Sequence, residues 1–180
     1  SAGLSRYIGV SEFSVDNLRK FHSICPVTCV QQEWSLMNRD LEEDLLPTCL
    51  ELGIGIVAYS PLCRKLLSGE VKNAHDLPRG DMRPKRYGRF HGDNLSKNAQ
   101  LVNSVVKLAN HREVTPAQLS LAWVCNQGQC VIPIPGTTNM AHLEDNVIAA
   151  NLQLSEEEIA QISAAVPQEK VSGDRFVNDG

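Results

Sequence analysis

At 180 residues and 42% apolar content, the chain is long enough to bury a core as one domain. Its net charge of −4 argues against nucleic acid or an anionic membrane as the main partner. No apolar run reaches the length of a membrane span and no secretory signal is present, so a cytoplasmic location is expected. The cysteines at 25, 29, 49, 63, 125 and 130 form no C-x-x-C pair, which predicts reduced thiols rather than disulfides or a zinc site. His22, His75, His91 and His111 show no spacing that suggests a metal.

In chain order, Tyr7 to Ser11 is a short apolar run ending in a hydroxyl, followed by a helix capped at Ser14. Val27 to Glu33 is β-branched at Val27, Thr28 and Val30 and ends in the polar residues Gln31 and Gln32. Arg39 to Leu52 carries leucines at three- and four-residue spacing and is stopped by Gly53. Pro47 inside it predicts a kink or two separate pieces. Ile54 to Leu62 is a third strand, ending in Tyr59 and Ser60.

A long loop over 63–94 follows, whose basic run (Arg79, Arg83, Lys85, Arg86, Arg89) reads as solvated. Leu95 to Ala109 is amphipathic, and Thr115-Pro-Ala-Gln118 is a capping box with proline at the first helical position. Val131-Ile-Pro-Ile-Pro-Gly-Thr-Thr138 then runs into a helix opened by Thr138 or Asn139. A helix start with hydroxyls beside it suits an anion, a phosphate above all. Ser155-Glu-Glu-Glu158 opens a last helix, and a tail completes 155–180.

Alternating strands and helices with apolar strands predict a parallel sheet covered by helices. No G-x-G-x-x-G follows the first strand, so a dinucleotide-binding Rossmann sheet is excluded. Every strand instead ends on side chains fit for binding, the arrangement of a (β/α)8 barrel. Four strands are half of one. The open edges and naked interior need a cover, and a chain that starts Ser1-Ala-Gly without methionine suits the second half of a longer protein.

The motifs Tyr7-Ile-Gly-Val-Ser-Glu-Phe-Ser14, Val30-Gln-Gln-Glu-Trp-Ser-Leu36, Gly53-Ile-Gly-Ile-Val-Ala-Tyr-Ser-Pro-Leu62 and Val131 to Thr138 with Leu143-Glu-Asp-Asn146 resemble the aldo-keto reductases. The match is to their C-terminal half, over essentially the whole chain, and looks closest to the plant- and microbe-type branch of pyridoxal-, perakine- and auxin-induced-type reductases. The resemblance implies strands 5 to 8 of the barrel and a cofactor, NADP(H) first and NAD(H) second, lying across the carboxyl ends of the strands. It matches Ser11 and Gln31 to partners of the nicotinamide carboxamide and Tyr59 to the ring that stacks on it. Ser60, Leu62 and Arg64 match the pyrophosphate segment; Thr137, His142, Asp145 and Asn146 match the adenosine and 2′-phosphate pocket.

Departures from the family pattern also appear. Glu12 stands where most of the family has asparagine, and Cys63-Arg64-Lys65 replaces Gly-Arg-Gly, removing positive-φ freedom while adding a lysine charge. His142 replaces an arginine that often clamps the 2′-phosphate, which should weaken the NADP(H) preference. The family's catalytic aspartate, tyrosine, lysine and histidine come from the first four strands; none is here, so this chain alone is expected to be inactive on carbonyl substrates. Two functions follow: the cofactor-binding half of an NAD(P)H-dependent aldehyde and ketone reductase, or a non-catalytic, truncated or regulatory nucleotide-binding relative. A small carbonyl substrate and an N-terminal half-barrel, or a second chain covering the open edges, are the implied partners.

Overall fold

Four short strands, all parallel, carry the architecture: β1 (Gly9–Ser11), β2 (Cys29–Glu33), β3 (Gly55–Tyr59) and β4 (Val131–Ile134), side by side in chain order. The computed structural model describes residues 3–177; the end of the expected tail, 178–180, lies outside them. Each successive parallel pair needs a crossover, and the helices supply it. These are α1 (Val15–Ile24), α2 (Leu45–Leu52), α3 (Arg83–Arg86), α4 (Asn94–His111), α5 (Pro116–Cys125), α6 (Met140–Asn151) and α7 (Glu156–Ala165).

The helix starts follow their capping chemistry. Ser14 accepts from Asn17 N, while Thr115 with Gln118 and Ser155 with Glu158 form reciprocal capping boxes. Asn139, not Thr138, caps α6, its side chain accepting from Ala141 N at 2.9 Å. The leucine-rich stretch over 39–52 does divide in two: a single 3-10 turn at Asp40–Glu42, then α2. Pro47 falls in the first turn of α2, where its missing N–H has no intrahelical partner to lose. Gly53 ends that helix at φ +66°. The loop over 63–94 is less bare than the sequence suggests, holding α3 and three 3-10 turns.

The core lies on one side of the sheet. Val30, Ile56, Ala58 and Val131 pack against Leu18, Leu45, Cys49, Leu119 and Val124, with Trp34 and Trp123 meeting edge to face at 6.2 Å. The other side is open. Alternate residues point there, and Gly9, Ser11, Gln31, Ile132 and Ile134 are exposed. A parallel sheet is ordinarily covered on both faces, yet Ile132 is 61% and Met140 of the adjoining α6 is 69% exposed.

Candidate functional site

Register places the strand ends in rows across the open face. Ser11, Gln31, Val57 and Ile132 are neighbours in one row; Glu33, Tyr59 and Ile134 form the next, nearer the carboxyl ends. Ser11, Gln31 and Tyr59, distant in sequence, therefore share one face.

Glu33 is the hub of this end of the sheet and is fully buried. Its Oε1 accepts from Arg64 Nη1 at 3.1 Å and Arg89 Nη1 at 3.4 Å. Its Oε2 lies 2.8 Å from Arg175 Nε, an ion-pair distance without hydrogen-bond alignment. A buried carboxylate is costly unless paired, and three guanidinium groups surround this one. Arg89 also donates to Asn38 Oδ1 at 2.7 Å, so it is buried in the site and not the solvated loop residue the sequence suggested. Burial works against the charge on Arg64, but its Glu33 partner outweighs that and holds its pKa above the ordinary value. Arg64 also lies 3.8 Å from the centre of the Tyr87 ring, and its carbonyl accepts from Arg83 Nη1 at 2.8 Å.

Tyr59 sits beside this hub. Its hydroxyl donates to Glu12 Oε1 at 2.9 Å and accepts from Arg175 Nη2, whose guanidinium carbon lies 5.4 Å from the ring centre. Burial, then the bond to Glu12, raises the phenol pKa well above its usual value. Tyr59 thus presents a ring whose hydroxyl is already engaged by Glu12 and Arg175.

Beyond β3 the backbone enters a strained loop. Cys63, Arg64 and Lys65 take φ of 44°, 53° and 75°, three non-glycine residues in succession in the left-handed region. The loss of both glycines has not removed this conformation. Cys63 is fully buried, its thiol pushed up to about 11 chiefly by burial, and the surrounding packing holds the turn.

Two adjoining clefts open from this loop toward α6. A cavity of about 550 Å³ is lined by Leu62, Lys65, Thr137, His142 and Asn146, among others. A smaller one of about 240 Å³ is lined by Ser60, Leu62, Arg64, Lys65 and Gly136. Ser60 Oγ is buried without a hydrogen-bond partner in the protein. Lys65 and Arg64 bring positive charge, and Glu70 opposes it at the edge.

Of the residues singled out in the sequence, Ser60, Leu62, Arg64, Thr137, His142 and Asn146 meet at these clefts, and Ser11, Gln31 and Tyr59 lie on the open face. Asp145 does not line either cleft: its carboxylate accepts from Gln118 Nε2 at 2.8 Å and ties α6 to α5. The start of α6 is also less open to an anion than its sequence implies. Thr137 Oγ1 already accepts from Asn139 N at 3.0 Å, and Asn139 occupies Ala141 N. Glu33, Arg89 and Arg175 were not among the site residues expected from the sequence. Glu33 carries a faint signal, a second polar residue two positions after Gln31 and hence on the same face.

The four parallel strands, with polar side chains gathered at their carboxyl ends, match about half of an aldo-keto reductase barrel. A family model described as the aldo/keto reductase family matches residues 1–167, and the chain belongs to that family. It is 46% identical over 178 residues to "Probable aldo-keto reductase 1" from Glycine max, covering 98% of this chain and 50% of that protein. Among solved structures it resembles a glycerol dehydrogenase from Gluconobacter oxydans, with TM-score 0.79, 27% identity, and coverage of 91% of this chain and 50% of that one. It also resembles the thermostable aldo-keto reductase Tm1743, crystallised with the inhibitor epalrestat: TM-score 0.69, 30% identity, and 91% and 49% of the two chains. The chain spans about half the length of these relatives.

Proposed function

We propose that this chain is the second half, strands five to eight, of an NADP(H)-dependent carbonyl reductase of the plant- and microbe-type branch, and that it supplies the cofactor grip. The observation that carries this reading is the pair of clefts beside the ends of β3 and β4, which share Leu62, Lys65 and Gly136 and count Ser60, Arg64, Thr137, His142 and Asn146 among their walls. That donor set fits a dinucleotide.

Ser60, Leu62, Arg64 and Lys65 would hold the diphosphate; Thr137, His142 and Asn146 the adenosine end and 2′-phosphate. Asp145 steadies α6 from behind. Ser11 and Gln31 would orient the carboxamide, and Tyr59 would form its flat wall. When bound, the nicotinamide supplies hydride to a carbonyl carbon. Tyr59, its hydroxyl engaged by Glu12 and Arg175, is assigned the wall and not the proton for the carbonyl oxygen. A complementary half-barrel covering the open face would bring the acid and carry the small carbonyl substrate. A cytoplasmic setting belongs to the same proposal; no helix among the described residues is long and apolar enough to cross a membrane.

The test is calorimetric titration of the 180-residue chain with adenosine 2′,5′-bisphosphate and with 5′-AMP. The bisphosphate should bind more tightly, and absence of binding by both refutes the reading. Carbonyl turnover by the isolated chain should be nil; steady NADPH oxidation with aldehydes would assign catalysis to groups in this half. A non-catalytic nucleotide-binding role is the second reading. The mass of the natural polypeptide decides between them: about twice 19.8 kDa supports the reductase.

A further inference from the structure

Arg64 borders the smaller cleft from a loop whose backbone is in the left-handed region. What fixes its side chain lies outside that loop. Nη1 donates to the buried Glu33 at 3.1 Å. The guanidinium carbon lies 3.8 Å from the centre of the Tyr87 ring, a distance reached only over the ring's face. A guanidinium has five N–H donors, so one carboxylate oxygen leaves it able to meet an anion as well. The backbone of Arg64 is held separately, its carbonyl accepting from Arg83 Nη1 at 2.8 Å.

Tyr87 is in turn placed by the tail that follows α7, which grips the residues on either side of it. Val177 N donates to Arg86 O at 3.0 Å. Asp174 lies so close to Gly88 that a Cβ on Gly88 would sit 2.6 Å from the Asp174 carbonyl oxygen. Between these two contacts Phe176 packs on the Tyr87 ring itself, with centres 5.8 Å apart. The strap is fastened at its start by Asn98, whose Oδ1 accepts from Ser172 N and whose Nδ2 donates to Ser172 O, each at 2.8 Å. The residue before Phe176 reaches the other partner of Arg64: Arg175 Nε lies 2.8 Å from Glu33 Oε2. Two adjacent tail side chains thus hold the two groups that hold Arg64, the ring through Phe176 and the carboxylate through Arg175.

We infer that Tyr87 and Phe176 are positioning residues for Arg64, so that the tail sets how well the chain binds a diphosphate although no described tail residue lines either cleft. This rests on the assignment of Arg64 to the diphosphate. A long side chain that must be ordered when its ligand arrives costs affinity. Arg64 is ordered beforehand, between a ring and a carboxylate that the tail keeps in place.

The test titrates the full chain with NADP+ and with adenosine 2′-monophosphate, which reaches the adenosine end and carries no diphosphate. Tyr87→Leu and Phe176→Ala should each weaken NADP+ about threefold to tenfold and leave the monophosphate within about twofold, which also shows that the variants are folded. Tyr87→Phe keeps the ring and should bind NADP+ as the wild type does. In an Arg64→Met background neither substitution should weaken NADP+ further, because both losses run through Arg64. Losses that multiply in that background, or that the monophosphate shares, make the tail a general support of the fold and overturn the inference. Unchanged NADP+ affinity in Tyr87→Leu and Phe176→Ala overturns it too and leaves the cofactor site standing. An Arg64→Met chain that binds NADP+ as tightly as wild type removes Arg64 from the diphosphate, and the inference with it. A wild-type chain that binds neither nucleotide brings down the cofactor site itself.

Discussion

Lys65→Gly isolates the strain in the loop that follows β3. Lys65 holds φ at 75° with an exposed side chain, and its carbonyl accepts from Ser68 Oγ at 2.8 Å, a bond any residue can keep. A side chain in the left-handed region costs about 1–2 kcal/mol, which glycine does not pay. Glycine returns about 0.5–1 kcal/mol through the freedom it adds to the unfolded chain. The net expectation is stabilisation by about 0.5–1 kcal/mol, a rise in Tm of about 2 °C for a chain of this size. Lys65→Ala is the control, since it removes the same charge but keeps Cβ, and it should leave stability within about 0.5 kcal/mol of wild type. Urea denaturation followed by tryptophan fluorescence reads both, because Trp34 and Trp123 are fully buried. A destabilised glycine variant, or an alanine variant as stable as the glycine one, refutes the idea that strain is stored here.

Glu33→Gln should cost about 3–5 kcal/mol in the same denaturation experiment, since three guanidinium groups would face a neutral amide in a buried site. His142→Arg should tighten adenosine 2′,5′-bisphosphate at least tenfold in calorimetry through a charge-assisted bond worth about 1.5–3 kcal/mol, and leave 5′-AMP unchanged; equal gains for both nucleotides would turn His142 away from the 2′-position. Asp81 is held below the usual carboxylate range first by the Arg83 side chain, which it binds at 2.7 Å. Its contribution is therefore complete above the unfolded value near 4 and lost as pH falls through the lower folded one. Asp81→Asn should lower Tm at pH 7, with the gap to wild type closing below about pH 4.

What could be read from the sequence was what is local. Strand and helix positions follow from short apolar runs and from Ser14, Thr115 and Ser155, whose capping acts within three residues. The open sheet face was legible too, because strand residues alternate and four strands do not close. The Glu33 hub was not, because its partners at 64, 89 and 175 lie far apart in the long loop after β3 and in the tail, and no local pattern connects them. The loop at Cys63 to Lys65 shows a different limit. Residue type predicted a loss of left-handed conformation there, but burial of Cys63 overrode the local preference. Asp145 misled because a carboxylate on α6 can equally face the neighbouring helix, and Gln118 is there to donate to it.

The Glu33 hub also fixes an order of events in biosynthesis. Its carboxylate leaves the ribosome with β2, Arg64 and Arg89 follow, and Arg175 emerges roughly 140 residues after Glu33, at about 5–20 residues per second an interval on the order of ten seconds. For roughly the last 40 residues of that interval, after β4 has emerged, the nascent chain has all four strands but not the last cation, so Glu33 must stay hydrated or bury with two partners. The carboxyl end of the sheet is accordingly the final part to mature, and a polypeptide stalled before residue 175 would carry a formed sheet with an unfinished ion-pair hub.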